Sequence, residues 1–426
     1  MPLAVRGQQY DADTVAIATR GVVELCASLR GICGALAMIK HLVLCPETVR
    51  HWLHRLGCYL LRRRVERRDD WVVFLDHTME LGAARCLLVL GMPLNPWQGR
   101  GGALAHTHVQ VLMVEVVEHS TGAVVYEQLE RLTGRIGVPA QIVSDHGGDL
   151  AKGIELLRRA HPEVVDTYDV SHKLACLLKA ELEPDPRWQE FLREAGRTRA
   201  CLQQARGGVP RPPVLRTKGR YQNLEGMVSW GESVLALDHP GMAAVLGTQR
   251  DTSSSEARQW FDRTVGWVSG FASDLALWRE LLTIIATTQE QVRDEGLHLA
   301  SGEALASTLQ PRNARGQRFA DRVCEFVKEQ SVRVPPGRRY VGCSEVIESI
   351  FGKYKNYLER SPSPSLGSNV VLFPLFVTQI TREWVAQALE TVKHRVAQEF
   401  VRILGGRNER QQRDELRPPK VVTKPT

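Results

Sequence analysis

Most of the patterns that would place this chain in a class at once are missing. Its nine cysteines (Cys26, Cys33, Cys45, Cys58, Cys86, Cys176, Cys201, Cys324 and Cys343) form no CxxC pair and no CxxC…HxxxH spacing. That argues against a zinc site and reads as reduced thiols, mostly buried as small hydrophobes, in an intracellular protein. No apolar run reaches the ~18 residues a membrane span needs. The N-terminus lacks a charged-then-apolar signal pattern, so the expected location is the cytoplasm. There is no internal repeat and no long low-complexity segment. Charge of one sign is also scarce: 55 Lys plus Arg against 48 Asp plus Glu leave only +7.

What is present points to a folded protein of more than one domain. The 426 residues suit two or three domains, and 43% hydrophobic content is enough for a sizeable core. The small basic excess is unevenly placed. Arg62, Arg63, Arg64, Arg67 and Arg68 form one block, and the tail after Arg402 is rich in Arg and Lys. Clustered Arg favours a polyanionic partner, because each phosphate contact releases counterions.

Residues 1–12 read as a loose leader, and the pattern is helical from Thr14 to about Leu61. Ser28 introduces a helix with Ile32, Leu36 and Ile39 at helical spacing. Pro46 then opens a second helix in its first turn, where a missing N–H costs nothing. Its Val49, Trp52, Leu53 and Leu56 are expected inward, its Arg50, His51, His54 and Arg55 outward, and its end at Gly57. A helix pair with a basic outer face is a helix-turn-helix candidate, and a structural helical bundle is the plainer alternative.

After the Arg block the period changes. Trp71 to Leu75, Ala84 to Leu90 and His108 to Val117 are three strand candidates at short intervals, expected as an antiparallel meander. A helix follows (Ala123 to Arg135), then a strand from Ala140 to Ser144, a helix from Asp149 to Arg159, a strand from Val164 to Tyr168, and a helix from Lys173 to Leu182. The order βββαβαβα is that of an α/β ribonuclease-H-like mixed sheet. A helical stretch of 183–336 interrupts it before one more helix, Ser344 to Arg360. Ser361 to Ser365 is an expected linker, followed by helices around Thr378–Leu404 and a basic tail from Gly405. The expected regions are 1–68 (helical, DNA-binding), 69–182 and 337–360 (the sheet and its last helix), 183–336 (all-helical insertion) and 361–426.

Asp76 and Asp145 each follow an apolar strand, and in this topology strands one and four are neighbours. Two carboxylates held close repel unless a cation lies between them. Glu348, on the helix anchored by Ile347 and Phe351, is the expected third acid, with Glu345 as its competitor. Lys355 returns to the face of Glu348 seven residues on.

The ordered set Phe74-Leu75-Asp76-His77-Thr78, Ile142-Val143-Ser144-Asp145-His146-Gly147, Asp169-Val170-Ser171-His172 and Ile347-Glu348-Ser349-Ile350-Phe351-Gly352-Lys353-Tyr354-Lys355 resembles the DDE transposases of bacterial insertion sequences. Upstream, Ser28-Leu29-Arg30, Thr48-Val49-Arg50-His51-Trp52 and Arg55-Leu56-Gly57 are similar to the helix-turn-helix heads such enzymes carry. The resemblance covers most of 14–360. Seven and four residues before Glu348 stand Val341 and Ser344, where some members have Tyr and Arg.

The resemblance implies a metal-binding catalytic triad of Asp76, Asp145 and Glu348, holding two Mg²⁺ or Mn²⁺ ions. It implies Lys355 as a DNA-contacting lysine and Asp169 with His172 as a supporting D-x-x-H element. The activity implied is nicking at transposon ends followed by 3′-hydroxyl strand transfer into target DNA. The implied partners are double-stranded transposon-end and target DNA, contacted through Arg50, His51, His54, Arg55, Arg62, Arg63 and Arg64. A homodimer or larger assembly on DNA is implied, with no membrane, in a bacterial cytoplasm at the nucleoid. His77 and His146 flank the aspartates and are candidates to tune the site. The tryptophans Trp188, Trp230, Trp260, Trp267 and Trp278 are candidates to stack on a splayed base, although core packing is the expectation for at least three. The competing readings are a catalytically inactive, domesticated transposase acting as a DNA-binding regulator, and a junction-resolving nuclease.

Overall fold

The computed structural model describes residues 5, 8–78, 85–204, 210–214, 224–237, 254–360 and 366–404. The start of the expected second strand at Ala84, the linker 361–365, the basic tail from Gly405 and most of the leader before Gln8 lie outside the described residues. The chain divides into two compact units, Met1–Asp169 with Ser344–Thr426, and Val170–Cys343.

The first unit is mixed α/β. Helices α1 (Ala12–Val23), α2 (Leu29–Lys40) and α3 (Pro46–Arg62) come first. Asp11 and Ser28 cap α1 and α2 by accepting from Thr14 N–H and Gly31 N–H, which satisfies donors the first turn leaves orphaned. Pro46 stands in the first turn of α3. Contrary to expectation α3 does not stop at Gly57 but runs to Arg62. A Cβ at Gly57 would lie 2.0 Å from the Val371 carbonyl oxygen, so this glycine marks a close backbone crossing instead of a helix end.

The sheet contains β1 (Trp71–Thr78), β2 (Arg85–Pro93), β3 (Gln110–Val117), β4 (Gln141–Ser144) and β5 (Val165–Tyr168), in the order β3-β2-β1-β4-β5. β1 pairs antiparallel with β2 and parallel with β4, and β2–β3 is antiparallel and β4–β5 parallel. This mixed arrangement is compatible with the ribonuclease-H-like sheet expected. A helix that the sequence reading missed, α4 (Leu94–Arg100), and a 3₁₀ turn (His106–His108) connect β2 to β3.

Side chains alternate across a strand. Trp71, Val73 and Leu75 of β1 belong to a buried cluster with Leu129, Leu132, Ile154 and Leu157, from α5 (Gly122–Ile136) and α6 (Gly148–Ala160). Against β1 there also packs a helix whose number follows after those of the second unit, Glu345–Glu359. A wholly buried 3₁₀ segment, Val370–Val377, packs on that helix, on α3 and on β3.

The second unit is helical: α7 (Val170–Leu182), α8 (Pro186–Gln204), α9 (Glu225–Leu235), α10 (Ser254–Val265), α11 (Ala272–Glu295), α12 (Ser301–Thr308) and α13 (Ala314–Ser331). The helix Glu345–Glu359 of the first unit is therefore α14, followed by α15 (Arg382–Thr391) and α16 (His394–Leu404). Trp188, Trp230 and Trp278 are buried around Phe191, and Trp188 meets Trp278 edge-on at 4.7 Å. Trp267 joins the same cluster and donates its indole N–H to Thr198 Oγ1 at 2.9 Å. Trp188, Trp230 and Trp278 are core, as expected for at least three of the five, while Trp260 and Trp267 are half-buried. None of the nine cysteines is in a disulfide, but only Cys33, Cys58, Cys86 and Cys343 are buried. Among the described residues no helix is long and apolar enough to cross a membrane.

Candidate active site

Leu75 of β1 stands opposite Ser144 of β4 in the parallel register. Asp76 and Asp145 are thus the next positions on two adjacent strands that run the same way. Leu75 lies in the α5–α6 cluster, so alternation puts Asp76 on the face where α14 packs. Both aspartates are half-buried. Asp76 is still within β1, opposite Leu88, whereas Asp145 begins the turn into α6.

That turn is tightly held. Asp145 Oδ1 accepts from Gly147 N–H at 2.9 Å, and His146 N–H donates to Ser144 Oγ at 3.3 Å. His146 has φ of 53°, a left-handed conformation uncommon for a residue with a Cβ. Its imidazole donates from Nε2 to Asp166 Oδ1 at 2.8 Å and stacks on Tyr168 with ring centroids 4.5 Å apart. His146 is therefore a fixed part of the turn that presents Asp145.

His77 belongs to a second network. Its Nδ1 lies 3.6 Å from Asp149 Oδ2, which Arg85 also approaches at 3.3 Å, and Ser120 Oγ is 3.3 Å from its Nε2. Burial pushes the Asp149 carboxyl up, but the Ser120 hydrogen bond and His77 together hold it below its ordinary value. This network ties β1, β2 and α6 together beside the two aspartates.

Glu345 and Glu348 both lie in the first turn of α14. Glu348 is exposed and Glu345 half-buried. The start of that helix is anchored to the end of β5, because the buried Asp169 accepts at Oδ2 from Ser344 N–H at 2.7 Å and from the Ser344 hydroxyl. His172, expected to act with Asp169, falls in α7 of the other compact unit. Lys355 is exposed on α14.

Two carboxylates at neighbouring strand ends suit a divalent cation. However, among the described residues no three His, Cys, Asp or Glu side chains gather into a group that could hold a metal ion. Asp76 and Asp145 are therefore a pair of carboxylates on adjacent strands, and Glu348 does not join them in one such group.

The expected outward placement of His54 and Arg55 on α3 is corrected. α3 packs against α1, α2, α15, α16 and the 3₁₀ segment Val370–Val377. His54 and Arg55 are buried. Arg55 donates to the carbonyls of Val392 (2.7 Å) and Leu389 and to Gln8 Oε1 (2.6 Å). Burial, with Arg50, His51 and His394 nearby, pushes His54 down to about 4. Arg50 is half-buried and paired with Glu47 at 2.8 Å, and His51 packs edge-on against His394 at 4.2 Å. The outward basic face was misjudged because the helix has partners on more sides than the apolar stripe announces, contributed by residues more than 300 positions away. Arg62, Arg63 and Arg64 are exposed. Arg68 is committed to Asp70 at 2.7 Å.

No family model matches this chain, and no curated protein matches it. Among solved structures, it is similar to a chain of the Drosophila P element transposase strand transfer complex, with a TM-score of 0.37 and 11% identity over 91% of this chain and 94% of that chain.

Proposed function

We propose that this chain is a DNA transposase of the DDE type, which nicks DNA at element ends and transfers the 3′-hydroxyl to a target strand. The observation that carries the reading is the placement of Asp76 and Asp145 one step beyond the paired residues Leu75 and Ser144. The β3-β2-β1-β4-β5 order supports it as the ribonuclease-H-like version of a mixed sheet.

In this reading Asp76 and Asp145 hold a divalent cation, which would supply positive charge at the scissile phosphate. The other contributions come from the chain itself. Gly147 N–H and the His146 clamp fix the direction of the Asp145 carboxylate. The Asp169–Ser344 contact fixes where α14 begins, and with it the positions of Glu345 and Glu348 relative to the strand ends. In this reading Glu348 is the third acid, brought to the two aspartates only when a cation is bound, and Glu345 is its rival.

The test is a cleavage and strand-transfer assay on duplexes carrying the flanking element ends, with Mg²⁺ or Mn²⁺, paired with calorimetric Mn²⁺ binding. Wild type is compared with Asp76→Ala, Asp145→Ala, Glu348→Ala and Glu345→Ala. Loss of joining and of Mn²⁺ binding in the two Asp variants, with DNA binding kept, supports the proposal. DNA binding by a wild type that never cleaves overturns it in favour of a regulator. Metal-dependent cleavage without joining favours a nuclease.

A further inference from the structure

Three cations from three different elements converge on one short segment of the first unit, and none has a carboxylate partner among the described residues. The segment is His106–Gln110, which carries the 3₁₀ turn and opens β3. Lys353 of α14 donates to His106 Nδ1 at 2.9 Å. Arg100, at the end of α4, lies against both ring nitrogens of His108, closer to Nε2 and 3.1 Å from Nδ1. Arg63, just past α3, donates to Gln110 Oε1. Alternate residues 106, 108 and 110 thus each meet one cation with a neutral side chain.

Other arginines of this unit sit on acids (Arg68 on Asp70, Arg85 on Asp149, Arg131 on Glu115) or, like Arg55 and Arg158, on backbone carbonyls. The contrast is chemical. Lys353 occupies Nδ1 of His106, so the ring proton is on Nε2, which faces Ser349 Oγ at 3.0 Å. That tautomer cannot take a proton from Ser349, which excludes a serine–histidine nucleophile here. His108 Nδ1 also accepts from Ala105 N–H at 2.9 Å, so it too is an acceptor. Burial first, then Lys353 and Arg100 respectively, hold both histidines below their ordinary value and keep them neutral. The strip is net positive, with its arginines exposed, and its charge is uncompensated among the described residues.

We infer that Arg63, Arg100 and Lys353 form a strip that binds the phosphodiester backbone of double-stranded DNA. This rests on the function proposed above and locates part of the duplex path. Gln110 pairs with Gly91, and Gly91 with Val73, three residues before Asp76. The strip therefore begins about 10 Å along and about 10 Å across the sheet from Asp76. That is less than the ~34 Å of one duplex turn, so one bound duplex can reach both. Exposed Arg62 and Arg64 flank Arg63 and extend the positive surface.

The experiment is duplex binding as a function of salt for the full chain. It compares wild type, Arg63→Gln/Arg100→Gln/Lys353→Gln, and the charge-keeping Arg63→Lys/Arg100→Lys/Lys353→Arg. The neutral triple variant is expected to bind more weakly on every duplex sequence, with a log–log salt slope shallower by roughly 1 per residue, and the charge-keeping variant to track wild type. An unchanged slope in the neutral variant overturns the strip. So does equal weakening in both variants, which would report packing, and so does a wild type that binds duplex RNA in preference to DNA. A strip that binds DNA in a protein without strand transfer leaves this inference standing and removes the transposase reading.

Discussion

His146 donates from Nε2 to Asp166 Oδ1 across 2.8 Å while its own backbone holds φ at 53°. The residue after Asp145 is thus clamped in a conformation that disfavours a Cβ by about 1–2 kcal/mol. His146→Gly relieves the backbone and loses the clamp; His146→Ala loses the clamp and keeps the strain. Chemical denaturation should find the alanine variant less stable than the glycine variant by about 1 kcal/mol. Both should lose joining activity, and Mn²⁺ affinity should weaken with it. Equal stability of the two variants would remove the strain argument.

Arg55 is an internal tether to the carbonyls of Leu389 and Val392. Arg55→Gln strands buried acceptors, and the expected loss is about 3 kcal/mol of unfolding free energy, with duplex affinity unchanged at a temperature where the variant is folded. A variant of native stability with lost DNA binding would restore the recognition-helix reading of α3.

The pH dependence follows from His54. Its folded-state value of about 4 lies below the ordinary 6.5 because burial, then Arg50, His51 and His394, oppose its charge. The unfolded chain then binds more protons between those values, so stability is full above pH 6.5 and falls as the pH drops toward 4. The contribution is about 3 kcal/mol. Denaturation midpoints between pH 7 and pH 4 should fall less steeply in His54→Phe than in wild type; parallel curves would remove His54 as the cause.

Gly57→Ala sets a methyl group 2.0 Å from the Val371 carbonyl oxygen. Backbone cannot yield as a side chain can, so about 3 kcal/mol or more of destabilisation is expected. Gly34→Ala, on α2 with nothing within 4 Å of the new Cβ, should be neutral or stabilising. Comparing the two melts separates packing from helix propensity.

How much was legible in the sequence depends on where the deciding contacts lie. Short apolar runs ended by Asp76 and Asp145 marked β1 and β4, because burial on both faces leaves a local signature. The helices between β3 and β5 were legible for the same reason: their periodic stripes face a single sheet. α3 was misread because Leu389, Val392 and Val371, from the far end of the chain, cover the face that looked free. Its Gly57 carried the right local signal for a stop, overridden by a tertiary crossing. The missed α4 begins beside Pro93 and contains Pro96 and Gly99, the residues that otherwise announce a loop. The cation strip had no signature either, since Arg63, Arg100 and Lys353 meet only after folding.

The contact between Asp169 and Ser344 has a consequence for how such a chain can change over generations. Residues on either side of it are one hydrogen bond apart, and everything from Val170 to Cys343 is strung between them. The entropy of closing a loop grows only with the logarithm of its length, about 0.6 kcal/mol per doubling. A doorway this narrow therefore makes the first unit nearly indifferent to the size of its passenger. Large segments can be gained, traded or trimmed there while the strand ends bearing Asp76 and Asp145 keep their register.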